Sequence, residues 1–191
     1  MFILKNKYFF IIENIKDINL RNIKNSNKFN IIYRYRKKSE SIDKLILFRK
    51  ACRARNIDFY VSNDVKLAYV LKADGVYISA YNKSLKIVHL KNSNLKIIGS
   101  AHNIKELKIK KAQGCSNIIF SRLFLTSYKE KKGFLGIVKF NLLKLLIKEN
   151  LTPLGGIRLY NLNKLNLINC NSIALSSEIK KKTKDLSSRF F

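Results

Sequence analysis

The sequence is poor in the residues that interrupt or cross-link a chain. Its 191 residues include one proline, seven glycines, three cysteines and no tryptophan. The three cysteines, Cys52, Cys115 and Cys170, are widely spaced and include no C-x-x-C pair. This spacing argues against a disulfide framework, a metal site or a redox centre built on cysteine. It favours buried, reduced thiols in a cytosolic protein.

Long hydrophobic runs are also absent. The apolar run near the N-terminus, Tyr8–Ile12, ends at Glu13 and is too short for a signal-peptide core or a transmembrane helix. Hydrophobic residues nevertheless make up 47% of the chain, which argues against disorder. We therefore expect a soluble, cytoplasmic protein without a membrane partner, folded as a single domain over residues 1–191.

Acidic residues are few beside basic ones. The chain has 12 acidic and 39 basic residues, which gives a formal net charge of +27. Such an excess often indicates a nucleic acid or an anionic surface as the partner. Here the basic residues are spread along the whole chain, and runs such as Lys180–Lys182 are short. Dispersed charge argues against a specific nucleic-acid partner, although it still attracts phosphorylated small molecules.

Short apolar segments recur along the chain with helical patterns between them. Most are rich in Ile, Val, Tyr or Phe, and each is too short for a helix, which predicts strands. They lie at residues 8–12, 29–34, 57–61, 75–78, 95–99, 117–120, 151–154 and 172–175. The clearest helical patterns cover residues 41–55, 102–114 and 136–150. Eight strands alternating with about eight helical segments predict an α/β protein, a compact (β/α)8 TIM barrel, with a doubly wound open sheet as the alternative.

The only adjacent glycines, Gly155 and Gly156, follow the seventh predicted strand and the only proline, Pro153. Neither glycine carries a Cβ, so the backbone amides of this turn can approach an anion such as phosphate. An ordinary tight turn is the alternative. In a TIM barrel the chemistry lies at the carboxyl ends of the strands, and polar residues follow almost every predicted strand here. This pattern favours a phosphate site.

Taken in order, these strand exits resemble the thiamine-phosphate synthase/TenI superfamily of small barrels. Seven family motifs occur in the right order between residues 8 and 179, although each alone is short and weak. The matching segments are RYRKK at residues 34–38 (Q-L-R-x-K in the family), Asn-Asp at 63–64, ADGV at 73–76, SAH at 100–102 (STH in the family), SRLFLTSYK at 121–129 (GPxFxTxTK in the family), PLGGI at 153–157 (ALGGI in the family) and the last strand with its serine, ALSS, at 174–177.

Enzymes of this family join a pyrimidine diphosphate to a thiazole phosphate and release pyrophosphate. Without the resemblance, the basic residues after the second strand would read as a solvated charge run. The resemblance implies that the diphosphate is held by side chains with catalytic roles, Arg36, Lys38 and Lys129, and by substrate-binding residues Asn63 and Ser100. It implies that the thiazole phosphate lies on Gly155, Gly156 and Ser177, with Thr126 nearby.

The family also binds Mg²⁺, through one aspartate after the third strand and another after the fourth. Asp64 matches the first, whereas the second position holds Asn82, a neutral and weaker ligand for a hard cation. We therefore expect Mg²⁺ as a weakly bound cofactor. The alternative for Asn63 and Asp64 is a helix cap. His102 is either a catalytic residue or a polar residue at a helix start.

Three further departures from the family pattern bear on the reaction. Arg34 replaces the glutamine of the second strand, and Tyr128 replaces the second hydroxyl of the loop after strand six. Arg122 stands where TenI thiazole tautomerases carry a catalytic histidine. Three hypotheses remain open: a thiamine-phosphate synthase, a TenI-like relative with altered or lost catalysis that binds a phosphorylated ligand, and a basic nucleic-acid-binding protein. A homo-oligomer is compatible with all three.

Overall fold

Eight parallel strands close into a barrel in the computed structural model of the chain, which describes residues 5–23, 26–36, 39–126 and 133–176. Each strand pairs with the next along the chain, and the first pairs with the last. The strands are β1 Lys7–Ile12, β2 Phe29–Tyr33, β3 Asp58–Ser62, β4 Gly75–Ile78, β5 Lys96–Ala101, β6 Asn117–Ser121, β7 Asn150–Leu154 and β8 Ser172–Leu175. The predicted TIM barrel is confirmed, and the open-sheet alternative is wrong.

The strands are mostly apolar because both of their faces are buried. Side chains on one face fill the barrel interior, where Phe9, Tyr60 and Tyr77 are the large members of a small cluster. Side chains on the other face, such as Phe10 and Phe59, form a larger cluster with the surrounding helices. Because both faces are buried, each strand appears in the sequence as a short apolar run, and this pattern identified all eight strands.

The helical connections differ more from expectation. Four α-helices lie in the described ranges: α1 Ile42–Ala54, α2 Val65–Val70, α3 Ile104–Ala112 and α4 Gly136–Leu145. The connections β1–β2, β4–β5 and β7–β8 contain 3-10 helices instead, at Ile15–Asp17, Leu20–Asn22, Ser26–Lys28, Leu85–Asn92 and Leu159–Leu167. In the first connection, Asn14 and Asn19 accept hydrogen bonds from backbone N–H groups two residues ahead. Such local bonds favour short turns over an α-helix.

The three cysteines are buried and unpaired by disulfides, as predicted. Burial raises the pKa of Cys52 and of Cys115 to about 12, so both thiols are protonated at neutral pH. Within the described ranges, no helix is long and apolar enough to cross a membrane. The extent of the domain over residues 1–191 and the cytoplasmic location stay predictions.

Candidate functional site

A cleft of about 390 Å³ opens at the carboxyl ends of the strands. Its wall is rich in basic and hydroxyl side chains, and Glu13 is the only acidic residue among the described ones that line it. This composition suits an anionic ligand. The polar lining residues are Glu13, Arg34, Arg36, Ser79, Ser100, His102, Ser121, Arg122, Thr126, Arg158 and Ser176, together with Tyr77 and Tyr81.

The Gly155–Gly156 turn lies in this wall. Both glycines have positive φ angles, 98° and 70°. No described residue accepts a hydrogen bond from the N–H group of either glycine. Their carbonyls are engaged, because Phe124 N–H donates to Gly155 at 3.0 Å and Asn161 Nδ2 donates to Gly156 at 2.8 Å. The turn is therefore held by its acceptors while its donors remain available to an anion.

Close packing requires glycine at this turn as well. A Cβ atom on Gly156 would lie 2.4 Å from the carbonyl oxygen of Phe124, and one on Gly155 would lie 3.1 Å from Cγ of Arg122. The loop after β6 thus packs directly on the turn. The ordinary-turn alternative explains the positive φ angles but not the available donors.

Arg122 and Thr126 extend the same wall from the loop after β6. Nη1 of Arg122 donates a hydrogen bond to Oγ1 of Thr126 at 2.8 Å. The backbone of this loop is tied to its surroundings, since Leu123 N–H donates to Leu154 at 2.9 Å and Leu135 N–H donates to Arg122 at 2.8 Å. Both side chains line the cleft together with the glycine turn.

Arg34 and Arg36 supply positive charge on the other side of the cleft, where β2 ends. Nε of Arg36 donates to Oε1 of Glu13 at 2.6 Å, and the Arg36 side chain is 70% exposed. In a ring of eight strands, β2 and β6 are four positions apart and hence lie opposite each other. Arg36 therefore faces Arg122 across the mouth of the barrel.

Ser100 lies at the inner end of the cleft, beside Tyr77. It is only 6% exposed, as expected for a residue in β5. Burial raises the pKa of Tyr77, while a hydrogen bond with Ser100 and the charge of Arg34 oppose that shift. The pair places two neutral hydroxyl groups at the floor of the site.

His102 also lines the cleft, where β5 ends. Its ring atom Nδ1 lies 3.0 Å from Oε2 of Glu106, and its backbone N–H donates to the same oxygen at 2.7 Å. Partial burial raises the pKa of Glu106, but the hydrogen bonds from His102 and Asn103 outweigh it, so the pKa is lowered. His102 thus lies just before α3 and is bonded to Glu106 in the first turn of that helix, in agreement with the helix-start alternative.

Asn63, Asp64 and Asn82 lie together but do not line the cleft. Asn63 exchanges hydrogen bonds with Ser79, each 3.0 Å long, and accepts a third from Nδ2 of Asn82 at 3.4 Å. The side-chain oxygen of Asn82 accepts from Ser84 N–H at 3.1 Å. These amide groups therefore bind one another and the backbone.

Asp64 caps helix α2, so the helix-cap alternative is confirmed for this residue. Its Oδ1 accepts from Leu67 N–H at 2.9 Å, and its Oδ2 accepts from the hydroxyl of Tyr35 at 3.1 Å. Burial and the hydrogen bond to Asp64 raise the pKa of Tyr35. Both carboxylate oxygens thus have protein partners, and the oxygen of Asn82 is also engaged.

The donor set of Asp64 and Asn82, as arranged here, does not fit a two-residue magnesium site. The described part of the chain holds no group of three or more His, Cys, Asp or Glu side chains that could bind a metal. Metal ligation by Asp64 and Asn82 stays a prediction.

Among the predicted site residues, Arg36, Ser100, Thr126, Gly155 and Gly156 line one cleft. The predicted residues Lys38, Lys129 and Ser177, and the departure at Tyr128, lie outside the described residues. Sequence reasoning did not single out Tyr77, Ser79 or Arg158 as cleft residues. All three lie in or directly after the carboxyl ends of strands or turns, so that position alone could have identified them.

Comparisons with known proteins point to one family. A family model described as thiamine monophosphate synthase matches residues 18–179. The thiamine-phosphate synthase of Pelagibacter ubique is 30% identical over 192 residues, covering 92% of this chain and 90% of that protein. The enzyme of the same name from Persephonella marina is 26% identical over 155 residues, covering 78% and 74%.

Solved structures give the same fold. The thiamine phosphate pyrophosphorylase of Pyrococcus furiosus matches with a TM-score of 0.70 and 17% identity, over 98% of this chain and 96% of that one. The KGPDC of Streptococcus mutans matches with a TM-score of 0.64 and 10% identity. At such identities the structures bear on the fold alone. The family model, however, spans most of the sequence, and the chain therefore belongs to the thiamine monophosphate synthase family.

Proposed function

We propose that the protein joins hydroxymethylpyrimidine diphosphate to thiazole phosphate, releases pyrophosphate and so acts in thiamine biosynthesis. The relatives named thiamine-phosphate synthase support an enzyme of this type. The observation that carries the proposal is the distribution of charge in the cleft. Arg34 and Arg36 lie where β2 ends, and the glycine turn with Arg122 lies on the opposite side. Two separate anion-binding walls suit two phosphorylated substrates.

The reaction needs no protein nucleophile. The bond between the pyrimidine methylene carbon and the diphosphate oxygen breaks, and its electron pair leaves with pyrophosphate. The thiazole nitrogen then donates its lone pair to the methylene carbon and forms the new bond. Charge develops on the leaving oxygen, so fixed positive charges beside it lower the barrier. We assign this task to Arg36, with Lys38 and Lys129 as the further cations predicted from the sequence.

The apolar part of the cleft suits the two rings. Ile11, Leu154 and Ala174 line it between the two basic walls. These apolar side chains exclude water, which strengthens the interaction of Arg34 and Arg36 with a diphosphate. Ser100 at the inner end offers a hydroxyl to the same substrate.

Magnesium binding is proposed to be weak. The resemblance implies Mg²⁺, but Asp64 caps a helix and Asn82 is neutral. We infer that the arginines of the cleft neutralise a larger part of the diphosphate charge, and no step assigned here to a side chain depends on a metal at Asp64 and Asn82.

The direct test is to incubate the purified protein with both precursors and Mg²⁺ and to detect thiamine phosphate. Product formation supports the proposal. Binding of thiazole phosphate without product would support the TenI-like alternative with altered or lost catalysis. Binding of neither precursor would contradict both.

A matched pair of variants tests the role of Arg36. Arg36→Ala should lower kcat/KM for the diphosphate by about 100-fold, the usual loss for one donor to developing negative charge. Arg53→Ala removes the same charge from an exposed position on α1 and should change kcat/KM by less than about twofold. Equal losses in the two variants would point to general attraction by this basic chain.

A further inference from the structure

Arg122 is a basic residue of the cleft that the family pattern does not explain. It stands at the end of β6, where neither branch of the resemblance expects an arginine. Its guanidinium donates to the hydroxyl of Thr126 at 2.8 Å. The stem of the same side chain packs on Gly155, where an added Cβ would lie 3.1 Å from Cγ of Arg122 and 3.2 Å from its Cβ. Arg122 therefore connects the hydroxyl of Thr126 with the glycine turn.

The backbone that carries this side chain is anchored by hydrogen bonds. The Arg122 carbonyl accepts from Leu135 N–H at 2.8 Å, and the next residue donates to Leu154 in β7 at 2.9 Å. The residue is partly buried and lines the cleft, so its side chain does not extend freely into solvent. A charge held in this way loses little side-chain entropy when an anion binds.

The hydrogen bond to Thr126 also orients that hydroxyl. Because its oxygen accepts from Arg122, its own proton can donate to a ligand oxygen. The N–H groups of Gly155 and Gly156 lie in the same wall and have no acceptor among the described residues. Apart from Arg122, these donors are neutral, whereas a phosphate monoester carries nearly two negative charges at neutral pH.

We propose that Arg122 is a specificity-determining residue that binds the phosphate of the thiazole substrate and selects the phosphorylated thiazole over its alcohol. The inference rests on the proposed function, since it names the substrate group that this wall receives. Glu13, the only acidic side chain among the described cleft residues, is bonded to Arg36, which follows the neighbouring strand β2.

The test uses Arg122→Gln and Arg122→Lys in steady-state assays with both substrates. Arg122→Gln should raise KM for thiazole phosphate by about 10- to 100-fold, as for loss of one charge-assisted hydrogen bond. It should leave KM for the pyrimidine diphosphate within about twofold. The unphosphorylated thiazole alcohol should react equally well with wild type and variant. Arg122→Lys should bind thiazole phosphate more tightly than Arg122→Gln does, because lysine keeps the positive charge but lacks the planar guanidinium group.

Arg53→Gln is the control for the loss of one positive charge, and thermal melting of each variant reports whether the barrel is intact. An equal rise in both KM values, or no rise for thiazole phosphate, would overturn the inference. If Arg122→Gln does not fold, Arg122→Lys decides: a rise in KM confined to thiazole phosphate supports the inference, and its absence overturns it.

Calorimetry separates this inference from the proposed function. If the wild type forms no thiamine phosphate, the proposed function fails, but titration with thiazole phosphate still tests Arg122. Weaker binding by Arg122→Gln than by wild type then supports a phosphate site. Equal binding by the two proteins, or no binding by the wild type, overturns it.

Discussion

Two corners of the barrel mouth use similar polar residues in opposite ways. The glycine-turn corner consists of Arg122, Thr126, Gly155 and Gly156, and it directs donors at the cleft. The asparagine corner consists of Asn63, Asp64 and Asn82, and its side chains bond to one another and to the backbone. The difference teaches that residues which match a family motif, such as Asn63 and Asp64, can direct their polar atoms to the scaffold.

A buried lysine holds the backbone of the asparagine corner in place. Nζ of Lys110 donates to the carbonyl of Asn82 at 2.6 Å and to Oε1 of Gln113 at 2.8 Å. Gln113 in turn donates to the carbonyls of Asn82 and Ser84, both at 2.9 Å. Lys110 is fully buried, and burial lowers its pKa. These bonds fix the backbone of the loop after β4, whereas the glycine turn is held by hydrogen bonds to its two carbonyls and by close packing against the loop after β6.

The largest effect is expected where packing is tightest. Gly156→Ala should lower the free energy of unfolding by about 3 kcal/mol, because it adds a steric clash to a positive φ angle. Gly133→Ala is the matched control, since Gly133 has a φ of 86° but no described atom within 4 Å of an added Cβ. It should cost only about 1 kcal/mol. Urea denaturation measures both, and equal costs would mean that the loop after β6 does not pack on the turn.

The second largest effect is expected at Lys110, which holds the backbone of the asparagine corner. Lys110→Met should lower the free energy of unfolding by about 2 kcal/mol, because Oε1 of Gln113 loses its buried donor. Lys108→Met, on the exposed side of the same helix, should change it by less than about 0.5 kcal/mol. If Lys110→Met had the same free energy of unfolding as the wild type, the loop after β4 would not need this bond.

A smaller effect is expected from a substitution that makes the asparagine corner a better metal ligand. Asn82→Asp should strengthen Mg²⁺ binding in the presence of a diphosphate by about tenfold, because it adds a second carboxylate beside Asp64. Asn94→Asp makes the same charge change just before β5, at the other end of the barrel, and should leave the affinity unchanged. Calorimetry with equal affinities for wild type and Asn82→Asp would contradict the assumed geometry.

The smallest effect lies between the two corners, where β5 ends. The pKa of Glu106 is lowered from 4.5 in the folded protein, so its contribution to stability is present above the unfolded value and is lost as pH falls through the folded pKa. We expect Glu106→Gln to cost less than about 1 kcal/mol at neutral pH. The difference from wild type should shrink below about pH 4.5. A difference that is constant with pH would contradict a role for the charged carboxylate.

The strands were the most predictable part of the molecule. All eight predicted segments match the observed strands within two residues at each end, because burial on both faces leaves an apolar run for every strand. The connections were less predictable. Residues 14–28 carry no strong periodicity, and the choice between an α-helix and 3-10 turns depended on local bonds from Asn14 and Asn19.

The candidate site was predictable only where position in the fold determines it. A residue that follows a barrel strand lies at the mouth, which places Arg36, Thr126 and Gly155 correctly. The direction of a side chain at the mouth follows from its hydrogen-bond partners, and some of these come from distant segments. Leu67, three residues ahead, makes Asp64 a helix cap, but the second oxygen of Asp64 binds Tyr35, and no motif around Asp64 reveals that partner.

The sequence by itself therefore determined the barrel, the family and the order of polar groups around the mouth, because each depends on patterns within short segments. The tertiary structure decided which of those groups reach the cleft. Arg122 meets Gly155 only after β6 and β7 pair, and Lys110 reaches Asn82 across 28 residues of sequence. Side-chain direction at such sites is set by packing and hydrogen bonds between segments, which local sequence patterns do not encode.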